Sequence, residues 1–251
     1  MTLALSKTTI ESQLTTRFGD IFKLNQQRFA AVISTGVPEV DLLTGGLPRG
    51  AITEVFGPAS SGRTSLLLST LAHAALQEEV CALVDTYNAF DPKSAAAAGM
   101  DLDRLLWIRC DGKLEHAFKA ADLLLQGGGF GVVALDIGDL PATQARQIIS
   151  SWWYRFRRIV ENKPTALVVI ALDSCVRSCA SLSLEINKVG DTWSLMKEAG
   201  ATSSQSDLRH LKPAYSFPAP ALLQGIKLRS ERQRPIYSGT RERCFKAQIS
   251  Y

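Results

Sequence analysis

The nine residues Gly57 to Ser65, GPASSGRTS, constrain the fold of this chain more than any other stretch. They separate an apolar run of strand length (AITEVF, 51–56) from a helix-like segment (SLLLSTLAHAAL, 65–76). A strand, a glycine-bracketed loop and a helix in that order converge backbone N–H groups on a helix N-terminus, whose dipole adds positive potential. Gly57 and Gly62 supply backbone angles that side chains forbid. The spacing GxxxxG[KR][ST] is that of a phosphate-binding loop, in which Thr64 offers a hydroxyl to Mg²⁺ and residue 63 brings a cation to the outer phosphates. Here that residue is Arg63 instead of lysine. Guanidinium is planar, larger than ammonium and directional, so the exchange is not neutral. Binding survives it more readily than hydrolysis, because phosphoryl transfer depends on positioning and electrostatics.

Strand-like runs alternate with helix-like ones on both sides of this loop. VCALVD (80–85), FGVVALD (130–136) and TALVVIALD (165–173) are continuous apolar runs, as in strands buried on both faces, and Leu105–Ile108 reads as a short strand. Between them lie an alanine-rich helix ended by Gly99, a helix over 114–126 and a long helix over 141–161. The helix over 114–126 has Leu114, Phe118, Ala121 and Leu125 on one face, and the triple glycine 127–129 ends it. This alternation predicts an α/β fold with a mostly parallel sheet covered on both faces. From 181 the rhythm changes, and SLSLEI, GIKLRS and AQISY read as antiparallel additions. Residues 190–221 read as a loop excursion, and 7–24 as an N-terminal helix with Ile10, Leu14, Phe18 and Ile21 at helical spacing. The domain reading is an N-terminal helix and connector over 1–35 and one core over 36–251. The metal's second support is expected from Asp136, which closes the strand FGVVALD; the competing role for it is capping the next helix.

Composition limits the function classes. The 251 residues carry a net charge of +4, with seven basic residues against Glu231 and Glu242 between Lys227 and Lys246. A basic C-terminal hairpin on a near-neutral body suits an anionic partner such as nucleic acid, or simply a solvated surface. No apolar run approaches the roughly 20 residues that span a bilayer, and MTLALSKTTIESQ has no secretory pattern. Five cysteines form no paired framework and read as reduced thiols, so the expected location is the cytoplasm, with no membrane partner. His73, His116 and His210 have no ligand-type partners nearby in sequence and read as structural. SWWYRFRR (151–158) mixes aromatics with arginines, as a nucleic-acid surface does. Its spacing, Ile149, Trp152, Phe156 and Ile159, instead favours a core helix with a basic outer side.

Blocks in a fixed order carry a family resemblance: ISTGVPEVDLLTGGLPRG (33–50), EVFGPASSGRTSL (54–66), CALVDTYNAFDP (81–92), GVVALD (131–136) and ASLSLEINKVG (180–190). With them the chain resembles the RecA recombinase ATPase core over roughly residues 8–190 and the final hairpin. The resemblance implies ATP and Mg²⁺ as ligands, with Ser60, Ser61, Gly62, Arg63, Thr64 and Ser65 cradling the phosphates and Thr64 and Asp136 ordering the metal. It places Asp91 and Pro92 near the adenine. It also implies departures. The family's water-positioning glutamate falls at Tyr87, its γ-phosphate-sensing amide at Asp173, and its adenine-stacking aromatic at Ser94. A phenol is a poor base at neutral pH. The family's first DNA loop is short here (GDLPATQ), its second is effectively missing, and its small C-terminal domain has no counterpart in the sequence. Arg229 or Arg232 falls where the family places cations that reach a neighbour's ATP; a DNA-binding or merely solvated hairpin is the alternative.

Among relatives reduced in this way the chain is similar to the ImuA group, which support an error-prone polymerase in the DNA-damage (SOS) response. The expectation is a degenerate ATPase with weak or no turnover, working through protein partners: copies of itself or a repair polymerase. The alternatives are a DNA-dependent ATPase forming filaments on single-stranded DNA, and a non-enzymatic regulator such as a division inhibitor.

Overall fold

A computed structural model describes residues 32–97, 99–145, 148–195, 221–234 and 242–248. The expected helix over 7–24 lies outside the described residues, as does 196–220 of the expected loop excursion.

The strands are β1 (Val32–Ile33), β2 (Leu47–Pro48), β3 (Ile52–Phe56), β4 (Cys81–Asp85), β5 (Leu105–Arg109), β6 (Val132–Ile137), β7 (Ala166–Ala171), β8 (Leu182–Leu195), β9 (Ala221–Arg234) and β10 (Glu242–Gln248). The helices are α1 (Pro38–Thr44), α2 (Arg63–Leu76), α3 (Pro92–Ala97), α4 (Leu114–Gly127), α5 (Ala142–Ala145) and α6 (Ser150–Val160). β1 and β2 form a small antiparallel pair, and the other strands form one sheet in the order β10-β9-β8-β3-β7-β6-β4-β5. β8, β3, β7, β6, β4 and β5 all run parallel. β9 runs antiparallel to β8, and β10 antiparallel to β9, so within this sheet β9 alone opposes the others.

Two expectations are corrected here. SLSLEI is not an antiparallel addition: Thr53 to Phe56 pair in parallel with Leu182 to Glu185. Residues 190–195 continue β8 and are not loop, pairing with β9 as far as Leu195 and Ala221. The gain in ladder hydrogen bonds along the paired ribbon outweighs the turn-prone composition that suggested a loop.

The inner parallel strands β3, β4, β6 and β7 are buried on both faces, whereas β5 lies at the sheet edge with Leu106 exposed. Val132, Ala134, Val168 and Ile170 pack against Leu66, Leu67 and Leu71 of α2. Val133, Leu135, Leu167 and Val169 face α4 and α6, meeting Phe118, Leu125, Trp153 and Phe156. Burying each such side chain is worth roughly 1.5–3 kcal/mol before entropy is counted. Phe118 stacks on Phe156 at 5.6 Å and meets Trp153 edge-on at 5.1 Å, locking α4 to α6.

The inward face of α6 differs from the one expected. Trp153, Phe156 and Val160 are buried, while Ile149 is 66% exposed. The predicted single helix over 141–161 is two helices, and Ile149 sits in extended backbone as the residue before α6. That break frees the second helix to rotate its own stripe inward. Trp152 remains half-buried against Phe118 and Phe156.

Candidate nucleotide site

Because the central strands are parallel, the C-terminal ends of β3, β4, β6 and β7 open onto one edge of the sheet, where open α/β folds bind ligands. The loop 57–62 leaves β3 there. Its backbone is specialised at three positions: Ser60 has φ 60°, Gly62 has φ 93°, and Gly57 is pressed against β8. A Cβ on Gly57 would stand 2.1 Å from the Ile186 carbonyl oxygen, so no larger residue fits.

Gly62 precedes α2, whose first turn holds no acid and no side-chain cap. Such a terminus is suited to an anion. Ser61 points a buried hydroxyl inward with no protein partner, whereas Ser60, Thr64 and Ser65 are exposed. A helix start left uncapped, an orphaned hydroxyl and a glycine cradle fit a phosphate group.

Arg63 is buried, and it does not project into the loop's mouth. Its guanidinium donates to the carbonyl of Ala171 at the end of β7 and, at 3.2 Å, to the carbonyl of Gly138 just past β6. Burial lowers its pKa, opposed by the charges of Asp136, Asp139 and Asp173. The side chain bridges two neighbouring strand ends.

Asp136 lies at the β6 end beside it. Its Oδ1 accepts from the Gly138 N–H at 2.8 Å. Burial pushes its carboxyl up to about 6 from 3.8; Asp85 and Asp139 add to the rise, and the Gly138 N–H and Arg63 oppose it. A carboxylate here and the exposed Thr64 hydroxyl form a hard oxygen set suited to Mg²⁺, which retains several waters and uses few protein ligands. Among the described residues no group of three or more His, Cys, Asp or Glu is arranged for a metal.

The loop after β4 is organised by Asp85, which sequence reasoning treated only as a strand end. Its two oxygens accept from the N–H groups of Ala89 (3.0 Å) and Phe90 (3.1 Å) and from the Trp107 indole (3.2 Å). Tyr87 therefore hangs in a fixed loop, packed against the α4 side of the core. Burial raises its phenol pKa further, with Asp139 adding to the effect. Asp91 caps α3 instead of standing free: it accepts from the N–H groups of Lys93 (3.2 Å) and Ser94 (3.0 Å) and from the Ser94 hydroxyl (2.6 Å). These bonds depress its carboxyl.

Glu54 was missed altogether, although a glutamate inside the buried strand AITEVF was a signal. It is fully buried. Its carboxylate accepts from the N–H groups of Cys175 (2.6 Å) and Val176 (2.7 Å) and from the hydroxyls of Ser174 (2.8 Å) and Ser183 (3.0 Å). A buried carboxylate is tolerated only with such partners. It holds the β7–β8 connection against the core, with Cys175, Val176, Cys179 and Ala180 buried and Asp173, Ser174, Arg177 and Ser178 exposed. Cys175 and Cys179 are free thiols, as are Cys81, Cys110 and the exposed Cys244.

The two hairpin arginines separate. Arg232 donates to the Leu43 carbonyl of α1 at 3.0 Å, tying β9 back to the core. Arg229 is exposed, 3.7 Å from Glu242.

Residues 3–145 match the RecA N-terminal domain. The chain is 40% identical to Protein RecA of Ectopseudomonas oleovorans over 131 residues, which is 50% of this chain and 37% of the relative. It is 31% identical to Protein RecA of Desulfotalea psychrophila over 179 residues, 63% and 50% respectively. The chain thus spans half or less of the curated relatives it matches. A crystal structure of the RadB recombinase shares the fold, with TM-score 0.59, 17% identity and coverage of 87% of this chain and 96% of that one.

Proposed function

The chain belongs to the RecA family through its RecA N-terminal domain, and from that premise we propose a divergent accessory protein of DNA repair that holds ATP without efficient hydrolysis. In this reading it is ImuA-like, supporting an error-prone polymerase in the SOS response from the cytoplasm. The bound nucleotide is a structural or switching ligand, and contacts with protein partners carry the function.

The reading rests chiefly on Arg63. Its guanidinium is already bonded to the Gly138 and Ala171 carbonyls, so it is not poised to follow a phosphoryl group in transfer. Tyr87 stands where a carboxylate would aim water. Bound ATP would place its phosphates on the loop 57–65 against Ser61 and the α2 N-terminus, and Mg²⁺ would neutralise them beside Thr64 and Asp136. This chain's own groups would grip and orient; none would act as base. Asp173, exposed after β7, would repel the outermost phosphate. Supporting the same reading, the β7–β8 connection is held inward by Glu54 and leaves little backbone to reach DNA.

The test is ATP binding and phosphate release by the purified protein, with and without single-stranded DNA. Micromolar binding with negligible, unstimulated turnover is expected. Turnover stimulated tenfold or more by single-stranded DNA would replace this reading with a DNA-dependent recombinase ATPase, the activity class that likeness to Protein RecA favours. Absence of any nucleotide binding would leave a purely interacting regulator.

A further inference from the structure

On the α4–α6 side of the sheet a groove of about 870 Å³ opens between the end of α4 and the outer face of α6. Its lining includes Trp152, Tyr154, Arg155, Arg158 and Ile159. None of its lining residues is among those assigned to the nucleotide site. Trp153, Phe156 and Val160 already bury the inner stripe of α6. Tyr154 is nonetheless 57% exposed, and Trp152 offers the half of its surface not packed on Phe118 and Phe156. Tryptophan, tyrosine and arginine are the residues that dominate binding energy at protein interfaces.

The charges select the occupant. The Arg155 guanidinium is clamped by Asp122 at 2.5 and 2.7 Å, which fixes it in place and cancels its charge. Asp122 itself is held by the Gln126 side chain at 2.5 Å. Arg158 is exposed and has no acidic partner among the described residues. The groove therefore offers one uncompensated cation above an apolar floor. That is too little charge for a nucleic acid, whose affinity grows with the number of phosphates neutralised. It suits a protein segment that inserts an apolar side chain between Trp152 and Ile159 and sets one carboxylate against Arg158.

We propose that this groove is a docking site for a partner protein segment bearing an apolar anchor beside an acidic residue. The proposal goes beyond the nucleotide reading and stands whether or not ATP is held.

The test is selection of phage-displayed random dodecapeptides on the intact protein, followed by affinity measurement with the selected sequence as a fluorescein-labelled peptide. Fluorescein-labelled dT20 serves as the nucleic-acid probe. Arg158→Glu and Tyr154→Ser alter exposed groove residues without touching the core. Arg157→Glu makes the same charge change on exposed α6 surface outside the groove lining. Selected peptides should combine an acidic and a large apolar residue within a few positions. Their affinity should fall at least tenfold with Arg158→Glu and with Tyr154→Ser, and less than twofold with Arg157→Glu. Three results would overturn the proposal: no enriched sequence, enrichment equal on the Arg158→Glu protein, or dT20 binding that depends on Arg158 without peptide binding.

Discussion

Arg63, the first residue of α2, donates through its guanidinium to the main-chain carbonyl of Ala171, 108 positions later in the chain. The same nitrogen reaches the Gly138 carbonyl, so one side chain fastens the ends of β6 and β7 to the helix that follows the phosphate loop. Both bonds leave one nitrogen, whose two N–H groups are held in the plane of the guanidinium, whereas a lysine ammonium turns freely and fixes no such pair of directions. The residue that departs from the usual motif has become a strut at the mouth of the site.

Removing that strut should cost stability before it affects binding. Arg63→Ala leaves two carbonyls without their charged donor, a loss of roughly 1.5–3 kcal/mol for charge-assisted bonds. Urea unfolding without nucleotide measures it. A midpoint equal to that of the unaltered protein would show that the bridging bonds do not form in solution.

Turnover should require two changes together. Arg63→Lys returns a mobile cation but leaves no group to aim water; Tyr87→Glu adds the carboxylate while the guanidinium stays tied to Ala171. Phosphate release by Arg63→Lys/Tyr87→Glu should exceed that of either single variant at least tenfold. If either single variant equals the double, the proposal that these two positions jointly limit hydrolysis fails.

Glu54→Gln should destabilise the β7–β8 connection. The glutamate accepts four hydrogen bonds and donates none. With the amide oxygen kept on the Cys175 and Val176 N–H groups, the amide nitrogen would face the Ser174 and Ser183 hydroxyls, which must turn to accept, and the loss of the charge-assisted bonds costs roughly 1–3 kcal/mol. Hydrogen exchange of the Cys175 and Val176 amides should speed up with it. Unchanged protection at both would contradict the buried clamp.

The Asp136 carboxyl gives stability a pH dependence of known sign. Its folded value of about 6 lies above its ordinary 3.8. Between these values the folded chain keeps a proton that the unfolded chain has released, so stability is greatest below about pH 4 from this group and declines as pH rises toward 6. Asp136→Asn removes the titration. Without nucleotide or Mg²⁺, its thermal midpoint should exceed that of the unaltered protein at pH 7, and the gap should close at pH 4. A gap that stays constant between the two would count against the raised value.

Much of the fold was legible because its signals are local. Apolar runs of strand length identified β3, β4, β6 and β7, and the glycine spacing identified the loop between β3 and α2, since both depend on residues a few positions apart. SLSLEI misled because an apolar run does not encode its direction. Its parallel pairing with β3 follows from the inward fold of 172–181, which Glu54 enforces from 120 positions away. In the same way the inner stripe of α6 was misread by one residue because a break near Ile149 reset the helical phase.

The sequence by itself determined that a strand, a glycine-bracketed loop and a helix follow one another and that arginine fills position 63 of that spacing. Only the tertiary structure decided that Arg63 bridges Gly138 and Ala171, that Asp85 holds the Tyr87 loop, and that Arg232 anchors to Leu43. The reason is reach: a motif records neighbours along the chain, whereas a hydrogen bond takes whichever acceptor the packed strands bring within about 3 Å.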